Sequence, residues 1–408
     1  MVCRHCGSNN HFLFLDLGFA PPSNAYLEQS SLRKPEKFYP LRLIGCKDCM
    51  LIQTEDYANA EELFDDDYAY FSSTSSSWLA HAKKYSQDIS ELLSLNSSSK
   101  VIEIAANDGY LLRNFVSSGI PCIGIEPTNS TALAAENLGI PIIREFFNEN
   151  LAFSLVKSSS KADLIIGNNV YAHVPDVNSF TKGMKILLKP EGCITLEFPH
   201  LMELLEYNQF DTVYHEHYSY YSLHSISRIF NSAGLRVWKV EQLKSHGGSL
   251  RVYGCHEDDI RKTEKSVNKL LDLEVEKGLE QANTYSTFQE RANDVKNKFL
   301  SFLLEARNAG KSVAAYGAAA KGNTLINYAG IKSDLIAYVC DAAVSKQGKF
   351  LPGSHIPIVS PKVLETQTPD YLLILPWNLA REIKQQNAHL SARGVKFVTA
   401  IPELIISS

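Results

Sequence analysis

With 408 residues, the chain exceeds what one ordinary hydrophobic core serves, so two or three domains are expected. A content of 45% hydrophobic and 21% charged residues is that of a soluble globular protein, not a disordered or fibrous one. A formal charge of −5 argues against a nucleic-acid footprint, and no apolar run reaches the ~20 residues that span a bilayer.

The chain opens Met-Val-Cys-Arg-His-Cys, without the apolar core of a signal peptide. Its eight cysteines form two CxxC pairs and four scattered singles, which is not a secreted disulfide framework; a cytoplasmic location is expected. Cys3-Arg-His-Cys6 and Cys46-Lys-Asp-Cys49 are two tight knuckles that together supply the four thiolates of a structural zinc site. With all four positions cysteine, no coordination place stays open for catalysis. A pair of redox dithiols is the rival, disfavoured because no thioredoxin-like βαβ surrounds either knuckle. Strand-like runs at 12–15 and 41–44 suggest a small sheet, and the turn-rich 18–24 connection is placed to approach a ligand. Residues 61–77 set Tyr68 and Tyr70 between an acidic and a serine-rich run, as a linker or a loop over a ligand.

Helical periodicity covers 78–95, with Trp78, Ala82, Tyr85 and Ile89 on one face. Residues 101–112 then read as buried strand, small-residue turn and helix start, and 123–127 as a second strand ending in Glu126. Glu126 lies 17 residues beyond Gly109, where an acid binds ribose hydroxyls. Strands at 162–169 and 192–198 continue an alternation that implies a parallel sheet with ligands at its carboxyl ends. The turn Ala105-Ala-Asn-Asp-Gly109 lacks the glycines of a dinucleotide loop and puts Asp108 where a phosphate would sit. An acid there suits the amino-acid end of S-adenosylmethionine. The pattern resembles the class I methyltransferase motifs, which implies cofactor contacts from Glu103, Ala105, Asn107, Asp108, Gly109, Tyr110, Leu111, Glu126, Pro127, Asn168 and Asn169. The departure is Ala105 in place of the usual glycine, meaning less room beside the cofactor or a decayed site.

His173 follows the third strand, where cofactor and substrate would meet. Residues 211–223 hold Tyr214, His215, Glu216, His217, Tyr218, Tyr220 and Tyr221. Two imidazoles flanking a carboxylate suggest proton transfer; the rival is an aromatic packing segment. If the run is extended, His215 and His217 share one face and Glu216 takes the other. The stretch 245–253 contains Gly247-Gly248, which permits close approach to a ligand, with His246, Ser249 and Arg251 as donors; a bland hairpin turn is the competing reading.

From 256 to 309 the chain reads as long helix with a packing stripe of Phe288, Ala292, Val295, Phe299 and Phe302. Residues 311–326 repeat the strand, small-residue loop and helix pattern, and Asp341 closes the next strand 19 residues past Gly322. Gly317, Lys321, Gly322, Asn323 and Thr324 make a candidate diphosphate seat at a helix N-terminus; a purely structural βαβ is the alternative. Strands at 371–375 and 395–398 complete a small sheet.

Together, CxxC…CxxC, Asn107-Asp-Gly-Tyr-Leu-Leu112, Tyr214-His-Glu-His217, Ser245-His-Gly-Gly-Ser-Leu-Arg251 and Gly317-Ala-Ala-Ala-Lys-Gly-Asn-Thr324 resemble one family over essentially the whole length. It is that of the sugar C-methyltransferases acting at C3 of nucleotide-activated 4-keto-6-deoxy sugars in branched-chain deoxysugar biosynthesis. The resemblance implies an α/β chain in three parts. These are a zinc module (1–75), a class I, Rossmann-like methyltransferase domain (76–255), and a helical linker with a Rossmann-like nucleotide-sugar domain (256–408). It implies S-adenosylmethionine and structural Zn2+ as cofactors, a dTDP-, GDP- or CDP-sugar as partner, and a monomer without nucleic-acid or membrane partners. His217 or Tyr214 is then the base, Glu216 orients the pair, and His173 and Tyr68 contact the keto oxygen or the base. Competing expectations are a zinc-ribbon methyltransferase of RNA or protein, an NAD-linked oxidoreductase, and a catalytically dead scaffold.

Overall fold

The computed structural model describes residues 1–57, 71–158 and 160–407, which build three sheets. In the first, β1 (His11–Ala20) pairs antiparallel with β2 (Tyr39–Cys46), and β2 with β3 (Ile52–Thr54). Alternation along β2 turns Leu41 and Leu43 inward, as expected of a strand with one buried face.

The middle sheet starts with β4 (Val101–Ile104), β5 (Cys122–Ile125), β6 (Ile142–Ile143), β7 (Ala162–Asn168) and β8 (Leu188–Pro199), all parallel. Helices such as Ser76–Leu92 and Val177–Leu187 cover the faces, so β4 is buried at every position, with Glu103 the one polar residue among its four. The chain then leaves the sheet: β9 (Ser219–Tyr220) pairs with β3 of the N-terminal sheet, Ile52 opposite Tyr220 and Gln53 opposite Ser219. It returns as a hairpin of β10 (Leu235–Leu243) and β11 (Ser249–His256), giving the order β10-β11-β8-β7-β4-β5-β6. β11 runs antiparallel to β8, so the expected parallel sheet has an antiparallel edge, as the hairpin reading of 245–253 implies. The cause is local: a short turn through His246, Gly247 and Gly248, all at positive φ, joins β10 to β11, and only antiparallel strands close so tightly.

The expected long helix is two, Lys265–Glu276 and Phe288–Asn308. Gly278, at φ 75°, ends the first, where its N–H and those of Lys277 and Leu279 bond back into the last turn. The first helix buries Val267 and Leu270 in the methyltransferase core. The second joins a core running from Phe14 and Leu43 of the N-terminal sheet to Leu325 and Leu373 of the C-terminal domain. The last sheet has the order β14-β13-β12-β15-β16-β17. Its members are β12 (Val313–Tyr316), β13 (Val339–Cys340), β14 (Ile358–Val359), β15 (Tyr371–Ile374), β16 (Lys396–Thr399) and β17 (Ile405–Ser407); only β17 is antiparallel. Among the described residues no helix is long and apolar enough to cross a membrane.

Candidate active site

Two knuckles of the N-terminal module bring Cys3, Cys6, Cys46 and Cys49 together, every sulfur within 4.8 Å of the others. Four thiolates about 2.3 Å from one ion stand at such separations, so the set fits tetrahedral zinc. The first knuckle also docks on the methyltransferase domain. Arg4 donates from its guanidinium to the carbonyls of Pro175 (3.1 Å) and Thr54 (3.0 Å), and Asn178 donates to the His5 carbonyl at 2.8 Å.

At the carboxyl ends of β4, β5 and β7 lies a cluster of acids and amides. Both Glu103 carboxylate oxygens, Asp108 Oδ1 and both polar atoms of the Asn168 amide are buried without a partner among the described residues. Burial, then the charges of Glu126 and Asp108, push the Glu103 carboxyl well above the usual range. Such orphaned, mutually repelling groups suit a ligand that is cationic and rich in donors, as the ammonium, sulfonium and ribose hydroxyls of S-adenosylmethionine are. Glu126 follows β5 and orders the loop by accepting from the N–H groups of Asn107 (2.9 Å) and Thr128 (3.0 Å). Ala105 adopts φ 58°, Asn107 φ 49° and Gly109 φ 75°. The alanine therefore keeps the left-handed conformation that glycine takes without strain. Ser72 and Ser73 close the loop from outside, their N–H groups donating to Asn107 Oδ1 and Asp108 Oδ2, both at 3.0 Å. Tyr110 stacks at 5.9 Å on Trp78, Leu111 is fully buried behind the loop, and Pro127 follows Glu126 into the turn before Thr128.

The segment carrying Tyr214, His215, Glu216 and His217 is neither strand nor helix but a tight turn, closed by the His217 N–H on the Tyr214 carbonyl at 3.0 Å. The turn lays the Tyr214 ring against the His217 ring, with the Tyr214 hydroxyl 2.8 Å from His217 Nε2. His217 Nδ1 stands 2.9 Å from the Thr212 carbonyl, which can only accept. Nδ1 therefore carries the proton, and Nε2 offers its lone pair to the Tyr214 O–H. His173 sits in the turn after β7, its Nδ1 donating to the Glu216 carbonyl at 2.7 Å and its ring 4.7 Å from that of His217. Burial lowers His173 to about 4 and His217 well below its ordinary value, so both imidazoles are neutral at pH 7. The Glu216 side chain turns away, accepting from the Asn24 amide at 3.2 Å, and burial raises it to about 7. The zinc module holds this turn, with Thr54 Oγ1 donating to the His217 carbonyl at 3.1 Å. Tyr68 lies outside the described residues.

The site thus sets a Tyr214–His217 hydrogen-bonded pair and a second neutral histidine, His173, in one cluster. The family model of a C-methyltransferase C-terminal domain matches residues 244–402, that of a methyltransferase domain 78–240, and that of a zinc binding domain 3–64. The C-methyltransferase NovU of Streptomyces niveus is 33% identical over 401 residues, 98% of this chain and 95% of that protein. The chain belongs to the S-adenosylmethionine-dependent C-methyltransferases. Among solved structures, magnesium protoporphyrin IX methyltransferase from Synechocystis PCC 6803 with bound S-adenosylmethionine is 13% identical, over 50% of this chain and all of that one, at a TM-score of 0.36. A methyltransferase from Anabaena variabilis is 15% identical over 42% and 83% of the two chains, at 0.35.

The C-methyltransferase brings its three parts together around the Tyr214–His217 turn. Thr324, in the helix Ala320–Tyr328, donates to the Val213 carbonyl at 2.8 Å, and Asn323 to the Ser23 carbonyl at 3.1 Å. Both belong to the expected diphosphate seat by sequence, and their side chains bond the segment before the 214–217 turn and the 21–24 loop. Gly317 and Gly322 make room for neighbouring side chains: a Cβ on them would lie 2.4 Å from Pro376 and 2.6 Å from Leu375. Lys321 leans toward the methyltransferase domain, its Nζ 3.1 Å from the His246 carbonyl. Gly247 likewise admits the Trp377 ring, 2.2 Å from where its Cβ would be. His246 lies beside the cofactor site, its Nε2 3.3 Å from the Asn169 amide and its ring 5.1 Å from Trp78. Ser249 is buried on the Ser245 carbonyl, and the Arg251 guanidinium is engaged by Glu197 and Glu241 and lies over the Tyr85 ring. Sequence reasoning did not single out Asn24 and Asp211 within the 18–24 and 211–223 stretches it marked, nor Trp377 and Asn378, which follow a strand of a parallel sheet at its carboxyl end.

Proposed function

We propose that this C-methyltransferase methylates C3 of a nucleotide-linked 4-keto-6-deoxy sugar by abstracting the C3 proton and alkylating the resulting enolate. The observation that carries the reading is the Tyr214–His217 pair at 2.8 Å, with the His217 tautomer set by the Thr212 carbonyl. A C–H bond beside a ketone is acidic enough for such a pair, whereas an isolated hydroxyl or amine needs no carbon base. In this reading the Tyr214 oxygen takes the C3 proton as its own passes to His217 Nε2. The C–H electron pair becomes the C3–C4 double bond, and the carbonyl pair moves onto oxygen. His173, fixed by the Glu216 carbonyl, holds the other side of the His217 ring. Glu103, Asp108, Glu126 and Asn168 would hold S-adenosylmethionine, which supplies the electrophilic methyl group. Glu216 acts on the pair from behind, anionic above about pH 7.

The test is mass spectrometry of a panel of dTDP-, GDP- and CDP-4-keto-6-deoxy sugars incubated with enzyme and S-adenosylmethionine in deuterated buffer. Gain of one methyl with loss of the C3 hydrogen supports the reading and names the nucleotide. Neither methylation nor exchange on any of these sugars refutes it.

A further inference from the structure

Lys321 is held as no solvent-seeking lysine is. Its Nζ donates to the His246 carbonyl at 3.1 Å and to Asn378 Oδ1 at 3.3 Å, and stands 4.7 Å from the centre of the Trp377 ring. Trp377 is itself fixed, its indole N–H donating to Asp211 Oδ2 at 2.7 Å. Asp211 is 1% exposed and its other carboxylate oxygen has no partner among the described residues. Residues from two domains thus converge on one ammonium: His246 and Asp211 from the methyltransferase domain, Trp377 and Asn378 from the C-terminal one. The His246 carbonyl is aimed there because His246, Gly247 and Gly248 all take positive φ, and Gly247 leaves room for the indole.

This position lies between the two halves of the chemistry. On one side His246 Nε2 meets Asn169 beside the cofactor site. On the other, Thr324, three residues along the same helix, bonds the Val213 carbonyl next to Tyr214. The ammonium's charge acts on His217 and His246, adding to what burial does to keep both imidazoles neutral. Before this helix, the Ala318 N–H is taken by Asp341 Oδ2 at 2.8 Å and that of Ala319 by the Gly317 carbonyl. An ammonium has three N–H donors, and acceptors among the described residues account for two.

We propose that Lys321 is a catalytic residue whose third N–H donates to the C4 carbonyl oxygen of the substrate and stabilises the enolate formed when the C3 proton leaves, with Asp211, Trp377 and Asn378 as its positioning residues. The inference rests on the keto-sugar reading. The step balances within the substrate: the C3–H pair becomes the C3–C4 π bond, the carbonyl π pair becomes the oxyanion facing Lys321, and the proton stays on the Tyr214–His217 pair. A fixed cation at a site of developing charge stabilises the transition state more than the ground state, so its removal acts on rate before affinity.

The experiment follows C3 hydrogen–deuterium exchange and KM for the sugar that wild-type enzyme methylates, in wild type, Lys321→Met and Lys321→Arg, with S-adenosylmethionine affinity by calorimetry. Lys321→Met is expected to keep cofactor affinity and a KM within about threefold, and to lose exchange at saturating sugar by roughly 10²–10³-fold. Lys321→Arg recovers part of it. Lys321→Gln, which can still bond the His246 carbonyl, replaces the Met variant should that fail to bind cofactor. Saturated exchange at the wild-type rate overturns the proposal, as does a rise in KM alone, which would assign Lys321 to the diphosphate. A wild type that exchanges C3 on no keto sugar removes the keto-sugar reading and this inference with it; a wild type that exchanges beside an unimpaired Met variant removes this inference alone.

Discussion

Replacing Arg4 by methionine tests whether the zinc module is part of the catalytic apparatus or an appendage. Arg4 is no metal ligand, yet its guanidinium donates to the buried Thr54 carbonyl at 3.0 Å, to the Pro175 carbonyl at 3.1 Å and to Asp56 at 2.7 Å, and lies 5.2 Å from the Tyr218 ring centre. Pro175 follows His173 by two residues, and Thr54 holds the His217 carbonyl. A charge-assisted bond to a buried carbonyl contributes about 1.5–3 kcal/mol, and the exposed Asp56 pair at most about 1 kcal/mol. Loss of about 3 kcal/mol of docking follows, equivalent to a roughly 10²-fold larger opening equilibrium for the segments at 171–178 and 214–221. Hydrogen–deuterium exchange mass spectrometry reads that opening directly, with zinc content measured alongside. Turnover is expected to fall by about tenfold or more, since small misplacements of a base are costly to rate. Unchanged protection at 171–178 and 214–221 in a zinc-replete variant would refute the coupling.

Three further outcomes follow from single residues. Glu274 is fully buried; burial raises its carboxyl, but bonds from His200 (2.7 Å), His224 and the Leu223 N–H (2.6 Å) outweigh that and hold it at about 2. Its folded value lies below the unfolded one, so its stabilisation is present above about pH 4.5 and is lost as pH falls toward 2; urea titrations should show wild type losing about 3 kcal/mol relative to Glu274→Gln over that window, and parallel curves would refute it. Ala105→Gly relieves a left-handed alanine and should stabilise the protein by about 1 kcal/mol, seen as a raised thermal midpoint; a lower midpoint would mean that the methyl group packs better than it strains. Glu216, raised to about 7 by burial, should impose an acid limb near pH 7 on the methylation rate that Glu216→Gln abolishes, whereas His173, at about 4, is too acidic to produce it; a limb that persists in the variant excludes Glu216 as its source.

Much of the architecture was legible in one dimension because it is encoded locally. Two CxxC knuckles need only tight turns and four thiols, and their sulfurs lie within 4.8 Å of one another. The strand, turn and helix at 101–112 announce a βα unit by their apolar run and small residues, and β4 and the helix Leu112–Ser117 are found there. The errors lie where a segment's partner is far along the chain. The run at 211–223 suits a strand by alternation, yet only Ser219 and Tyr220 form one, because the edge of β3 is available to them. Before that edge, Tyr214 to His217 turn back, drawn by the Thr212 carbonyl and the Thr54 hydroxyl.

The residue types of the site were therefore visible in the sequence, while their contacts were not. Asn323, Thr324, Gly317 and Gly322 look like a phosphate loop by composition, but the same features serve helix-to-strand packing and carbonyl clamping. The surroundings of Lys321 were not legible either: His246 and Trp377, which stand 75 and 56 residues away, lie around its ammonium. Sequence determined which chemical groups the chain carries and which short elements they ride on, since both depend on neighbours a few residues apart. Tertiary structure decided which group faces which, because hydrogen-bond partners and burial, and through them tautomer and charge, are set by segments that only the packed core brings within 3 Å.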